Sequence, residues 1–166
     1  MKTFQHLILI VILGVILSAC ASSAPKPSDE MINPGDKIGD FLITTREDDD
    51  VVYITNLHCP IDGTTETCER PVGIKINVSQ GFQPASGKTP FEQAWSEQTC
   101  EMVIEGRPVN LQAFGYDEWK HPIAGTIRVW NVVIVADRPG TISAESNGVF
   151  DGESWNYTAK INFTEP

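Results

Sequence analysis

His58, Cys59 and Cys68 are the residues of this 166-residue chain whose types first invite metal chemistry. A closed zinc site needs four ligands at short recurrent spacings. The sequence has neither C-x-x-C nor H-x₃₋₅-H, so spacing does not assemble these three with the distant His121 into such a site. Glu47-Asp48-Asp49-Asp50 offers loop carboxylates of the kind that hold calcium. It lacks the D-x-D-x-D-G register, and a solvated turn whose charge keeps a sheet edge from pairing accounts for it better. No metal or other cofactor is expected. Nucleophilic catalysis has no local signature either, since G-x-S-x-G, S-x-x-K and H-E-x-x-H are all absent. The acids are numerous, and none stand out as a glycosidase pair. The expectation is therefore a protein that is not an enzyme, with a hydrolase built on His121 or His58 as the minor alternative.

Binding is better represented. The stretch from Gln112 to Gly125, which contains Phe114-Gly115-Tyr116-Asp117-Glu118-Trp119-Lys120-His121-Pro122, mixes aromatic rings with acids and bases and reads as a long connection. Binding residues concentrate on loops carried by a rigid scaffold. Tyr116, Trp119 and His121 are the candidate ligand contacts, suited to stacking on a sugar or anchoring in a partner's pocket. Phe114 is expected to cap the core, and capping is the competing role for Tyr116 and Trp119. Trp95, Trp130 and Trp155 fall on regular elements and are expected inside.

The N-terminus carries an address. Lys2 and His6 precede an apolar run from Leu7 to Leu17, far short of the about 20 residues that span a bilayer, so it reads as a secretory leader. The run ends in Leu17-Ser18-Ala19-Cys20, which resembles the lipobox of bacterial lipoproteins. That resemblance covers about the first 35 residues. It implies cleavage before Cys20, a diacylglyceryl group on the Cys20 sulfur, and attachment to the extracytoplasmic face of a membrane. One acyl chain binds only marginally, whereas two anchor stably. Within the same resemblance, Ala21 rather than Asp after the cysteine implies the outer membrane in a two-membrane host, and the outer face of the plasma membrane in a one-membrane host. An ordinary signal peptide that happens to end at Cys20 is the alternative. Residues 20–36 are rich in Ser and Pro and form a polar tether, leaving 37–166 as one domain.

Charge narrows the partners. The chain has 12 basic and 22 acidic residues and a net charge of −10. Loss of 1–19 removes one lysine and gives −11 over 147 residues. Nucleic-acid binders carry clustered positive charge, so that class is excluded, as is adsorption of the domain surface to anionic lipid.

Export makes disulfides accessible. Cys59 and Cys68 bracket a turn-rich segment and form the expected bridge, worth about 2.5–3 kcal/mol in the chain-entropy model. Cys100 is then a buried, inert thiol. The competing pairing joins Cys68 to Cys100 across the sheets and leaves Cys59 free beside His58.

Period-two alternation dominates the domain. Trp155, Tyr157, Ala159, Ile161 and Phe163 share one face, as do Val72, Ile74, Ile76 and Val78, and Cys100, Met102 and Ile104. Thr126 to Ala136 is apolar on both faces and is expected as one central strand. Weaker strands are expected over Ile38–Thr44, Val51–Leu57, Arg107–Leu111 and Thr141–Ser146. Turns fall at Glu105-Gly106, Asp137 to Gly140, Asn147-Gly148 and Asp151-Gly152. Thr89-Pro90-Phe91-Glu92 predicts a capped helix running to about Gln98. The fold class that follows is all-β: a single antiparallel β-sandwich, immunoglobulin-like, with one short helix near 90–98. The functional expectation is a lipid-anchored surface module that binds a protein or a glycan, with an envelope-assembly lipoprotein lacking a small ligand as the alternative.

Overall fold

The computed structural model describes residues 31–47, 52–55, 59–78, 81–82, 89–123 and 125–166. The leader, Cys20, most of the tether, Asp48 to Asp50 and His58 lie outside the described residues. Strands are numbered in chain order. One sheet runs β1 (Lys37–Ile38), β2 (Phe41–Thr44), β12 (Val133–Ala136), β6 (Lys75–Asn77), β3 (Val52–Ile54). A second runs β10 (Tyr116–His121), β11 (Gly125–Trp130), β7 (Gly81–Phe82). The third runs β4 (Ile61–Asp62), β5 (Thr65–Pro71), β14 (Glu153–Thr164), β13 (Gly140–Phe150), β8 (Thr99–Ile104), β9 (Arg107–Pro108). Two short helices, α1 (Phe91–Glu97) and α2 (Leu111–Phe114), complete it.

The result is an all-β sandwich. Its core takes Ile43, Ile76 and Ile134 from the first sheet, Phe82 and Trp130 from the second, and Met102, Ile104, Ile142, Tyr157, Ile161 and Phe163 from the third. The alternating faces seen in the sequence are the buried faces of β8 and β14. Most pairings are antiparallel, but β5 runs parallel to β14 and β3 parallel to β6.

The expected central strand over Thr126–Ala136 is divided between two sheets. Asn131 is the break: its N–H donates to the Gly115 carbonyl (3.0 Å) and its side-chain Oδ1 accepts from the Arg46 N–H (3.0 Å). It thus ties the end of the β2 segment to the start of β10 where both flank the same ladder. Both faces of the run are buried, as its composition requires. Ile134 and Trp130 face the main core, while Val129 and Val133 are sealed on the other side.

Three further differences have local causes. Residues 60–69, expected as a loop, form the β4–β5 hairpin, and β5 continues in parallel register with β14 from Thr65↔Thr158 to Pro71↔Thr164. Asn147-Gly148 is no turn and lies inside β13, whereas Asp151-Gly152 is the two-residue hairpin turn, both residues with positive φ. Helix α1 forms where expected, but Pro90 takes the N-cap with no side-chain cap. Glu92 does not reach back because Arg128 holds both its oxygens. Ile32 is fully buried and bridges Val109 in parallel, so the packed chain begins before Asp36.

Cys59 and Cys68 are bridged, with Cα atoms 5.1 Å apart, and Cys100 is free. The bridge ties the segment after Thr55 to the buried side of β5. Reduction, or the paired Cys59→Ala/Cys68→Ala change, is expected to lower stability by about 2.7 kcal/mol, as loop-closure entropy dictates for about ten residues. Equilibrium urea unfolding with and without reductant measures this, and coincident curves would exclude a stabilising bridge.

Candidate functional site

The segment expected as a binding loop is regular structure. Leu111–Phe114 is helical, Phe114 and Leu111 are buried, and Phe114 caps the core as expected. Tyr116–His121 is β10, an edge strand in a hairpin with β11. Strand geometry then separates the three candidate contacts, because successive side chains point to opposite faces. Tyr116 lies opposite Trp130 and Trp119 opposite Ile127, so Tyr116 faces the core side while Trp119 and His121 share the outer face. A single aromatic platform made of Tyr116 and Trp119 is therefore excluded by register.

On the outer face Trp119 walls an open cleft of two adjoining hollows, ≈ 480 Å³ and ≈ 280 Å³. Ile54, Val52 and Val129 give it an apolar floor, and Arg46 and Asp117 meet across it at 3.3 Å. That pair is substantially exposed on both sides, so it orients charge at the cleft and adds little to stability. Glu47, the described member of the acidic run, lies on the rim. His121 is exposed at the end of the same face, and its Nδ1 accepts the Ile123 N–H at 3.2 Å. That bond fixes one ring nitrogen as an acceptor already in use.

On the other face, Tyr116 joins a cluster that the sequence did not announce. Arg128, opposite Glu118 on the hairpin, lies under the rings of Phe91, Trp95 and Tyr116 at 4.9, 5.1 and 4.8 Å. Its Nη atoms donate to both Glu92 oxygens at 2.7 and 3.0 Å, and its Nε donates to Glu118 Oε2 at 2.6 Å. Burial works against its charge, and the bonds to Glu92 and Glu118 outweigh that and raise its pKa. With each of its three nitrogens bonded to a carboxylate and its plane stacked on rings, this is a clamp that fixes α1 on the β10–β11 hairpin. It is not an open anion site.

A third polar group lies inside the sandwich. Tyr157 donates to Glu66 Oε2 at 2.8 Å and also bonds the Thr55 hydroxyl, all three side chains being buried. Burial pushes the Glu66 carboxyl above its ordinary value, against the bonds from Tyr157 and Thr55 that favour the carboxylate. The folded protein thus binds this proton more tightly than the unfolded chain does. The cost of the charge grows as pH rises from the ordinary value of 4.5 to the raised one and is constant above it. Glu66→Gln is expected to raise the melting temperature by about 2–4 °C at pH 7, an effect of about 1 kcal/mol. The gain should vanish toward pH 4. A gain that persisted there would rule out relief of buried charge as the cause.

Among the described residues no group of three or more His, Cys, Asp or Glu is arranged to hold a metal ion. Nor is any described helix long and apolar enough to cross a membrane.

No protein-family model matches this chain, and no curated protein does. Among solved structures, a cysteine protease inhibitor from Entamoeba histolytica is similar over 68% of this chain and 96% of its own, with 11% identity and a TM-score of 0.36. A likeness that loose transfers neither activity nor partner.

Proposed function

We propose that this is a lipid-anchored, extracytoplasmic β-sandwich that binds a protein partner without chemistry, through the outer cleft beside Trp119. The observation that carries the reading is Trp119 standing over an apolar floor with Arg46 and Asp117 at the same opening. Trp and Arg are the residue types that dominate binding energy where a partner is desolvated against them, and among the described residues β10, beside the cleft, is the edge of its sheet, the position to which an extended segment adds. The address rests on Leu17-Ser18-Ala19-Cys20 alone. It sets the compartment in which the partner is met, with the net negative charge favouring a partner of basic or neutral surface.

Two arms test it. Cys20→Ser should move the protein from membranes to the soluble fraction, and unchanged sedimentation with membranes would remove the anchor. A photo-crosslinking residue at Ile54, used in the native envelope, should give a discrete adduct that disappears when Trp119→Ala is added. The same adduct from a crosslinker at Glu153, on the remote sheet, would refute the cleft. So would its survival in Trp119→Ala.

A further inference from the structure

The opposite face of β10 borders a second hollow, of ≈ 510 Å³, between α1, α2 and β8. We propose that this hollow is a binding site for a neutral saccharide, distinct from the Trp119 cleft and independent of it.

Its lining is unusual for this molecule. The chain has 34 charged residues in 166, yet none of those lining the hollow carries a formal charge. Three rings form one wall: Trp95 lies 5.2 Å from Tyr116 and 5.2 Å from Trp130, centroid to centroid. Tyr116 remains 47% exposed despite that packing, so part of its ring is presented to the hollow. The amides of Gln98, Asn110 and Gln112 and the Ser96 hydroxyl stand around the rings. Gln98 Oε1 is buried without a hydrogen-bond partner, an acceptor in want of a donor.

Each feature removes a ligand class. An anion would need a cation in the wall, and the nearby guanidinium of Arg128 is already bonded to Glu92 and Glu118. A cation would need a carboxylate, and the lining has none. A purely apolar ligand would cover the Gln98 and Gln112 amides without offering them a hydrogen bond. A pyranose satisfies both halves: its C–H face packs on a ring, and its hydroxyls both donate to and accept from amides. The volume lies within the about 300–1,000 Å³ usual for small-ligand sites.

Cys100 lines the same hollow and gives the test its handle. Burial pushes its thiol up to about 12, with Glu101 adding to the rise and a hydrogen bond from Trp130 opposing it, so the sulfur stays uncharged and slow to react. In the full chain carrying Cys20→Ser it is the one cysteine outside the Cys59–Cys68 bridge. The rate of its alkylation by iodoacetamide is followed by intact mass, with chitobiose, cellotriose, maltotriose or galactobiose as neutral probes and digalacturonate as the charged one. Only the unliganded fraction reacts, so a saccharide at about ten times its dissociation constant slows the reaction about tenfold.

The expected result is protection by at least one neutral probe and none by digalacturonate. Protection should be lost in Tyr116→Ala and in Gln98→Leu and retained in Trp119→Ala. Because Tyr116→Ala also touches the Arg128 clamp, Gln98→Leu decides the matter if the former does not fold. The proposal is overturned if no neutral probe at about 10 mM, enough to fill a site of about 1 mM affinity, slows alkylation. It is likewise overturned if digalacturonate protects equally, or if Trp119→Ala abolishes protection. None of these results bears on crosslinking from the outer cleft, so the two sites stand or fall separately.

Discussion

Gly148→Ala is expected to remove about 4 kcal/mol of the domain's stability and to move its urea midpoint far below that of the wild type. A Cβ at this position would stand 1.9 Å from the Thr99 carbonyl oxygen and 2.9 Å from its carbon, with the Trp155 ring at 3.0 Å. The first two are backbone atoms of the neighbouring strand β8, so no rotamer change relieves them. Either β13 and β8 separate where Gly148 faces Cys100, or the ladder slips. Overpacking a well-fitted interior costs about 1–3 kcal/mol and sometimes more; a clash with backbone at this distance belongs at the upper end, about 4 kcal/mol. That is a large part of the about 5–15 kcal/mol that holds a domain together. Gly73→Ala is the control. Gly73 has φ +82 with nothing within 4 Å of its Cβ position, so it tests backbone conformation without crowding and should cost about 1 kcal/mol. Urea unfolding of both variants separates space from conformation. Equal midpoints would mean that the close approach of β8 is not what reserves position 148 for glycine.

Arg128→Ala is expected to cost about 2–3 kcal/mol, the scale of losing charge-assisted hydrogen bonds together with ring packing, since neither carboxylate it leaves behind is buried. The loss has three parts: bidentate bonding to Glu92, the Nε bond to Glu118, and the faces of Phe91, Trp95 and Tyr116 that the guanidinium covers. Glu92 is itself largely exposed and returns to water, which keeps the figure from rising further. Arg128→Lys retains charge but not the planar fork, and should recover less than half of the loss. Far-UV spectra should still show a sheet, while near-UV signals from the aromatic cluster flatten, because α1 is then no longer fixed on the hairpin. If Arg128→Lys matched the wild type in urea midpoint, bidentate geometry would have no part in the clamp.

Much of the sandwich was legible. Where one face is apolar and the other polar, as in β14 and β8, alternation alone identified strand and buried face. It failed where inward positions are not apolar. In β5 the strand carries Glu66, Cys68 and Arg70 at alternate places, and Glu66 is buried through Tyr157, more than 90 residues away in sequence. No local pattern announces such a pairing. Asn147-Gly148 has turn chemistry, yet its glycine is there for want of room. At the candidate site, Tyr116, Trp119 and His121 are expected on a long connection, whereas they lie on strand β10. No period of two marks Tyr116-Asp117-Glu118-Trp119-Lys120-His121, whose two large rings stand three apart; once the segment is a strand, those rings must divide between two faces. Arg128 was hidden within a run of β-branched residues, with nothing to mark it except a charge at a buried position.

The burial of Ile32 fixes a reach. Ile32 is locked by its bonds to Pro108 and Asn110, and Met31 stands at the mouth of the uncharged hollow. From Cys20 to Met31 there are eleven residue steps, which at full extension cover at most about 36–40 Å. If Cys20 carries the proposed lipid, that hollow samples only a shell a few nanometres deep above the bilayer. A saccharide bound there would have to be part of the envelope's innermost layers or small enough to diffuse to them, and polymers displayed farther out would be beyond the leash.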